Sequence, residues 1–365
     1  MNRRVAHFVL IPELATSPPN DALINAWLEL GWDVDLFAPG ERMDIAAYGS
    51  RVHGLSVSYG YRWLACNLLR PSWRAYSAFS GTTEDPLAVA GLLGRTWRRP
   101  VLTLADEIRN GSYSGPRSPR WKALCRFGMR ASALTIVNAS ERVELQRDYA
   151  GLREDQEIIV YPGAFREPPV PAERAQVRAT RGIPQDALLM CYSGTYNHGN
   201  GGLWIAEVLS TVPEVHVWGQ MLHPDPLVRG LLQHLRGAER LHLESARLGW
   251  HEAWSVSGAA DIGMVVYLQD GPQFQNMGIA SNRLCMFLAM GVPVIASRQP
   301  SFEFIEHHDC GVLVEGTQAI PAAVERIASR LEVMRANALT CAHSYIRSSE
   351  RYIELRSAMA RTLLR

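Results

Sequence analysis

Short apolar runs of strand length alternate with amphipathic segments of helix length along the whole chain, the pattern of parallel sheets covered by helices. It predicts an α/β fold. The first unit reads as a strand over 5–11, a helix over 21–30 closed by Gly31, and a strand over 33–37 ending in a Pro39-Gly40 turn. Leu23, Ile24, Trp27, Leu28 and Leu30 give that helix one face to bury. Further strands are expected at 76–79, 101–104, 134–137 and 158–160. The run Glu-Pro-Pro-Val-Pro-Ala at 167–172 then breaks the pattern, a semi-rigid connector that marks a domain boundary. A second series opens at Leu188, continues through strands at 215–218, 241–243, 262–267 and 292–296, and ends in helices beyond Pro321. Two successive α/β domains place a ligand cleft between the carboxyl ends of two facing sheets.

Composition narrows the classes further. The 365 residues are 47% hydrophobic and 20% charged, which excludes disorder, and 37 basic against 36 acidic residues exclude nucleic-acid binding by bulk charge. Cys66, Cys125, Cys191, Cys285, Cys310 and Cys341 are scattered without a CxxC pair, as free thiols in a reducing compartment would be. No run approaches the ~18 apolar residues of a spanning helix, and the opening apolar run stops at Pro12 and Glu13. A cytoplasmic location is expected. Lys122 is the only lysine, so any chemistry that needs one must use it.

The first strand is followed by Glu-Leu-Ala-Thr-Ser-Pro-Pro-Asn and not by GxGxxG, which disfavours a nicotinamide enzyme, and no GxxxxGK[ST] phosphate loop exists. Two other segments suit anion binding. Ser193, Gly194 and Thr195, with Gly199, Gly201 and Gly202, lie between the first strand of the second series and the following helix. There glycines let backbone N–H groups approach a phosphate, although tight turning alone also favours them. At 279–297, Ser281 suits an N-cap, Arg283 falls in the first helical turn, Leu284, Phe287 and Leu288 make a buried face, and Gly291 ends the helix. A cation in the first turn opposes the helix dipole unless an anion neutralises it. Ser281, Asn282 and Arg283 therefore point to a phosphate at that N-terminus, the alternative being a solvated surface arginine.

Ser-Asn-Arg-Leu-Cys-Met-Phe-Leu-Ala-Met-Gly-Val-Pro-Val at 281–294 resembles the donor-binding segment of GT-B glycosyltransferases, especially the family-4-like group, which holds the sugar-nucleotide diphosphate there. The glycine loop at 192–209, the stretch 248–267 and the first helix and strand at 20–40 resemble the corresponding parts of that family in order. Arg283 stands where the family usually has lysine, keeping the charge and adding a fork suited to phosphate. Met286 stands where it usually has a glutamate, and the earlier glutamate of that pair is absent around Gly278, so neither donor sugar nor anomeric outcome follows. Xanthan-type glucuronosyltransferases, which also lack the pair, are a weaker resemblance.

The resemblance implies a GT-B architecture of two Rossmann-like domains facing each other across a cleft. Residues 1–166 would bind the acceptor, 167–344 the nucleotide-sugar donor, and a helix at 345–365 would cross back to the first domain. It implies a metal-independent hexosyltransferase with no cofactor, its donor being a UDP- or GDP-linked sugar. Gly194, Thr195 and His198 would approach the donor phosphates with Ser281, Asn282 and Arg283, Trp250 and His251 the base, and Tyr267 the sugar or diphosphate. Either aromatic could instead be a core residue. Asp106, following an N-terminal strand and aligned with the catalytic aspartate of the xanthan-type enzymes, is the candidate base; Glu84, Asp85 and Glu107 compete, and a loop cap is the plain alternative. Asp33-Val34-Asp35 matches the DxD text of metal-using transferases but sits in a strand pattern, so no metal is expected.

Residues 62–130 carry twelve Arg or Lys against four Asp or Glu, interleaved with Trp63, Trp73, Trp121 and Phe127. That composition suits peripheral contact with an anionic membrane and hence a lipid-linked saccharide acceptor, as in polysaccharide or surface-glycan biosynthesis. Surface arginines covering core aromatics, or an RNA-binding face, are the other readings, of which nucleic acid is not the expected partner. A small soluble natural product is the competing acceptor. A non-catalytic module that binds a sugar nucleotide is the reading from another class, and a pyridoxal-dependent phosphorylase would have only Lys122 for its aldimine.

Overall fold

The computed structural model of the chain describes residues 3–10, 17–40, 45–107, 118–192, 194–195, 199, 201–222, 226–244 and 248–364. The chain divides into two compact units, Met1–Arg166 with Ser348–Arg365, and Glu167–Arg347.

The first unit contains β1 (Arg4–Phe8), β2 (Asp33–Ala38), β3 (Val52–Ser56), β4 (Ala78–Thr82), β5 (Val101–Ala105), β6 (Leu134–Val137) and β7 (Ile158–Val160). They form one parallel sheet in the order β3-β2-β1-β4-β5-β6-β7. Parallel pairing needs crossovers that cover both faces, which is why β1, β4, β5 and β6 are almost wholly buried. On one face the helix Pro18–Glu29 packs Leu23, Ala26 and Trp27 against Val5, Val34 and Leu36, together with Tyr352, Leu355 and Met359 from the helix Ser348–Leu364. On the other face Phe8, Phe37, Trp73, Tyr76 and Phe79 form an aromatic core with Leu93 and Trp121. Helices Glu84–Trp97 and Pro119–Arg130 meet through Gly91 and Gly128, where a Cβ on Gly128 would come 2.0 Å from the Leu87 carbonyl oxygen.

The expected strand at 76–79 starts instead at Ala78, because Tyr76 closes the 3-10 turn Pro71–Ala75 and donates its hydroxyl to Asp35 Oδ2 at 2.5 Å. Asp35 also pairs with Arg4 at 2.8 Å and is buried, so the carboxylate of the Asp33-Val34-Asp35 text is engaged inside the unit. Trp73 and Trp121 are buried as well, and Trp121 Nε1 donates to Asp85 Oδ1 at 2.5 Å. The expectation that they anchor the protein at an interface is corrected, because both rings belong to the core of the unit; nearby, the guanidinium groups of Arg74 and Arg126 lie over Trp97 and Tyr149.

His7 sits in β1 with no exposed surface. Its Nε2 is 3.2 Å from Asn20 Oδ1, whose amide Nδ2 donates to Ser17 Oγ at 3.1 Å; the acceptor Oδ1 therefore places the ring proton on Nε2, and Nδ1 takes the Ser80 hydroxyl at 3.1 Å. Burial lowers its pKa to about 4, only partly opposed by the Asn20 bond. The unfolded chain, with an ordinary histidine near 6.5, then binds more protons than the folded one between those values. Stability is complete above pH ~6.5 and falls by about 3 kcal/mol as the pH drops towards 4. Urea unfolding at pH 7 and pH 5 should show about 2 kcal/mol of that loss in the wild type, and a His7→Gln variant should show a shallower pH dependence; equal slopes would remove His7 as the cause.

The second unit contains β8 (Leu188–Cys191), β9 (Gly194–Thr195), β10 (Val215–Gly219), β11 (Met221–Leu222), β12 (Leu241–Leu243), β13 (Ile262–Val265), β14 (Val294–Ser297) and β15 (Gly311–Val314). Six of them make a parallel sheet in the order β12-β10-β8-β13-β14-β15, and β9 pairs with β11. Its core joins Met190, Val217, Met264 and Ile295 to Trp204, Ile205 and Leu209 of the helix Gly202–Thr211 and to Val324 and Ile327 of the helix Ile320–Ser329. β14 starts at Val294, two residues later than expected, since Pro293 has no N–H for the ladder. β13 ends at Val265, which leaves Tyr267 on the loop beyond it.

Candidate functional site

In the second sheet the strand order reverses between β8 and β13, so the loops leaving those two strands part and open a crevice at their carboxyl ends. Tyr192 follows β8 and Tyr267 follows β13. The helix Asn282–Ala289 starts at the same edge, because it connects β13 to β14 and must enter from the carboxyl end. Ser281 is its N-cap, accepting from the Leu284 N–H at 3.1 Å.

Arg283, in the first turn, is 8% exposed, which rules out the solvated surface arginine. Its guanidinium lies 4.7 Å from the ring centre of Tyr192 and 5.7 Å from that of Tyr267. Ring faces attract a cation, and two of them offset part of the cost of burying it. The Tyr267 hydroxyl is 2.9 Å from Ser281 Oγ, and Ser297 Oγ takes the Tyr267 main-chain N–H at 3.0 Å. Cap, rings and guanidinium thus form one connected cluster. Burial raises the Tyr192 phenol above its ordinary pKa, with Arg283 pulling the other way. Cys191 below it is pushed up to about 12 by burial, so no thiolate forms there near neutral pH.

The glycine loop borders this crevice. Gly201 is left-handed at φ +82 and caps the helix Gly202–Thr211; a Cβ there would fall 2.7 Å from Val266, so the glycine is required by both backbone and packing. The Leu268 N–H donates to the Gly199 carbonyl at 2.7 Å, tying the loop to the segment that carries Tyr267. Gly194 and Thr195 lie in β9. His198 lies outside the described residues. Asn282 is half-buried at the first helical position. Trp250 opens the helix Trp250–Ser257 after β12, on the same edge of the sheet but two strands from β8; it is half-buried and His251 is exposed.

Tyr192 belongs to no motif of its own, although the glycine-loop segment begins with it. Its signal is positional: an aromatic residue directly after the first strand of a doubly wound unit.

In the first unit, Asp106 directly follows β5, half-buried, and its main-chain carbonyl accepts from Asn138 Nδ2 at 2.9 Å and Arg142 Nη1 at 2.8 Å. Gln146 Nε2 holds the Glu107 carbonyl at 3.1 Å. The backbone at the end of β5 is therefore fixed from β6 and from the helix Arg142–Ala150. Asp85 stands beyond β4, next to β1.

No family model matches the chain, and no curated protein matches it in sequence. Solved structures do match. A sucrose-phosphate synthase from Thermosynechococcus elongatus superposes with a TM-score of 0.73 at 16% identity, covering 99% of each chain. HepE from Anabaena, solved with UDP and glucose, gives 0.75 at 13% identity, again over 99% of each. A glycosyltransferase from Rickettsia africae gives 0.73 at 12% identity over 100% of each. The chain thus has the fold of GT-B glycosyltransferases, as the resemblance implied, with two Rossmann-like units.

Proposed function

We propose that this protein is a glycosyltransferase that moves a sugar from a nucleoside-diphosphate sugar to an acceptor hydroxyl. The 167–347 unit would hold the donor and the 1–166 unit the acceptor. The observation that carries the reading is Arg283: a buried guanidinium in the first turn of a capped helix, at a topological switch point, with Tyr192 and Tyr267 around it. A departing nucleoside diphosphate gains negative charge, and a cation already desolvated beside a helix N-terminus stabilises that charge without reorganising. Asn282 and the main chain of Gly194 and Thr195 would complete the diphosphate cradle, and Trp250 would stack on the base. Asp106 would take the acceptor proton. The binding of UDP and glucose by HepE, a structural neighbour, supports a UDP-sugar donor. A metal-independent hexosyl transfer fits a chain whose one Asp-x-Asp text has Asp35 engaged by Arg4 and Tyr76. A thermal-shift panel of UDP-, GDP-, ADP- and dTDP-sugars without added metal tests the reading. Selective stabilisation by one nucleotide is expected, and no shift with any would leave a non-catalytic role.

For the acceptor, the favoured class is a lipid-linked saccharide used in polysaccharide or surface-glycan assembly, with peripheral membrane contact. The support is a surface of the first unit on which Leu69, 75% exposed, and Tyr61 stand among Arg62, Arg70 and Arg74. Tyr61 packs edge-on to Trp121 at 4.9 Å, joining this surface to the helix that presents Arg126 and Arg130. Apolar tips within a cationic field suit an anionic headgroup layer. Among the described residues no helix is long and apolar enough to cross a membrane. Wild-type protein should float with anionic vesicles at low salt and be released at high salt, and Leu69→Glu should not float. A wild type that stays behind would leave the soluble acceptor.

A further inference from the structure

We infer that the first unit carries a subsite for a neutral saccharide ring at its own switch point, formed by Trp63, Tyr59, Ser58 and Asp85. The inference rests on the glycosyl-transfer reading and names the acceptor's binding end. The strand order reverses between β1 and β4, and a cavity of about 600 Å³ opens there. Leu10 beyond β1, Pro39 beyond β2, Ser58 and Tyr59 beyond β3, and Asp85 beyond β4 line it together with Trp63. Its volume falls in the ~300–1,000 Å³ range of small-molecule sites.

The walls are fixed before any ligand arrives. Tyr59 donates its hydroxyl to the carbonyls of Val9 at 2.7 Å and Phe37 at 3.0 Å, which locks the ring across the ends of β1 and β2. Trp63 meets Phe8 at 6.4 Å and Trp73 at 6.1 Å, both edge-on. Asp85 is 3% exposed and oriented by Trp121 Nε1. The corner that delivers it is strained: Thr83, a β-branched residue, has φ +55. Strand and helix approach so closely there that a Cβ on Gly81 would lie 2.8 Å from the Pro86 carbonyl oxygen.

A carboxylate beside aromatic rings and a serine hydroxyl is the chemistry of sugar recognition. The carboxylate accepts from ring hydroxyls, aromatic surface covers the apolar C–H face of the pyranose, and a phosphate is repelled. The second unit has the opposite sign at its switch point, with Arg283. The two crevices would therefore sort ligands by charge, anionic nucleotide to one and neutral sugar to the other.

Saturation-transfer NMR on the full chain with methyl glucoside, methyl galactoside and methyl mannoside at millimolar concentration tests this. At least one should bind, glucose 6-phosphate should bind more weakly, and Asp85→Asn should weaken binding about tenfold. Ser58→Trp, which fills the cavity from an exposed position, should abolish binding while leaving the nucleotide thermal shift intact. No hexoside binding, binding that survives Ser58→Trp, or tighter binding of the phosphorylated sugar would overturn the subsite. A retained nucleotide shift in the first case would sink the subsite alone, whereas loss of both signals would remove the glycosyl-transfer reading with it.

Discussion

Replacing Asp261 by alanine should lower the stability of the 167–347 unit by about 3–5 kcal/mol. Asp261, 2% exposed, stands just before β13. Its Oδ2 accepts from Arg178 at 2.7 Å and from the Leu189 N–H at 2.8 Å, and its Oδ1 faces Arg335 at 3.0 Å and Arg174. One carboxylate thus gathers three guanidinium groups from the helices Arg174–Thr180 and Leu331–Cys341 onto the sheet. Removing it strands Arg178, which is almost wholly buried, and leaves three like charges facing each other; burial and Arg174 already depress the Arg335 pKa. Asp261→Asn keeps hydrogen-bond acceptance without the charge and should fall between the two. Urea unfolding followed by amide exchange in β8 and β13 measures the effect, and an alanine variant within 1 kcal/mol of wild type would show that the cluster contributes little.

How much of this was legible depended on what each residue had to bury. The central strands β5, β6 and β13 lie in a sheet covered on both faces, so their sequences are nearly continuous apolar runs and the α/β class follows. β3 escaped notice because it is an edge strand whose His53, Gly54, Leu55 and Ser56 are exposed. β15, Gly311–Val314, also went unread, although it is no shorter than β6 and is buried throughout. At the site, Ser281 and Arg283 were legible from helix-cap chemistry, since a cap and a misplaced cation are local features. Tyr192 was not, because its closeness to Arg283 arises only when β8 and β13 become neighbours across 70 intervening residues of chain. The same limit explains Trp73 and Trp121. Arginines and tryptophans adjacent in sequence look like a membrane-facing patch, and only the packing of helices over β4 and β5 shows that these two rings belong to the core.

Arg283→Ala should weaken nucleoside-diphosphate binding by at least about 2 kcal/mol, roughly thirtyfold, while the unliganded protein keeps its melting temperature. The guanidinium is desolvated and stands in the first turn of a helix whose dipole is also positive, a place that disfavours a cation. The faces of Tyr192 and Tyr267 return part of that cost. Deleting the charge therefore removes a strain as well as a set of contacts, and the fold should scarcely register it. A diphosphate changes the balance, since the same cation then makes short, charge-assisted bonds in a place with little water to screen them. Arg283→Lys tests the geometry separately from the charge: a lysine keeps the point charge but loses the planar fork and its stacking, and should bind with intermediate affinity. Calorimetric titration of all three proteins with the nucleotide that stabilises the wild type decides the matter. Equal affinities would take Arg283 out of the donor site, and a large loss of melting temperature in the alanine variant would recast it as part of the core.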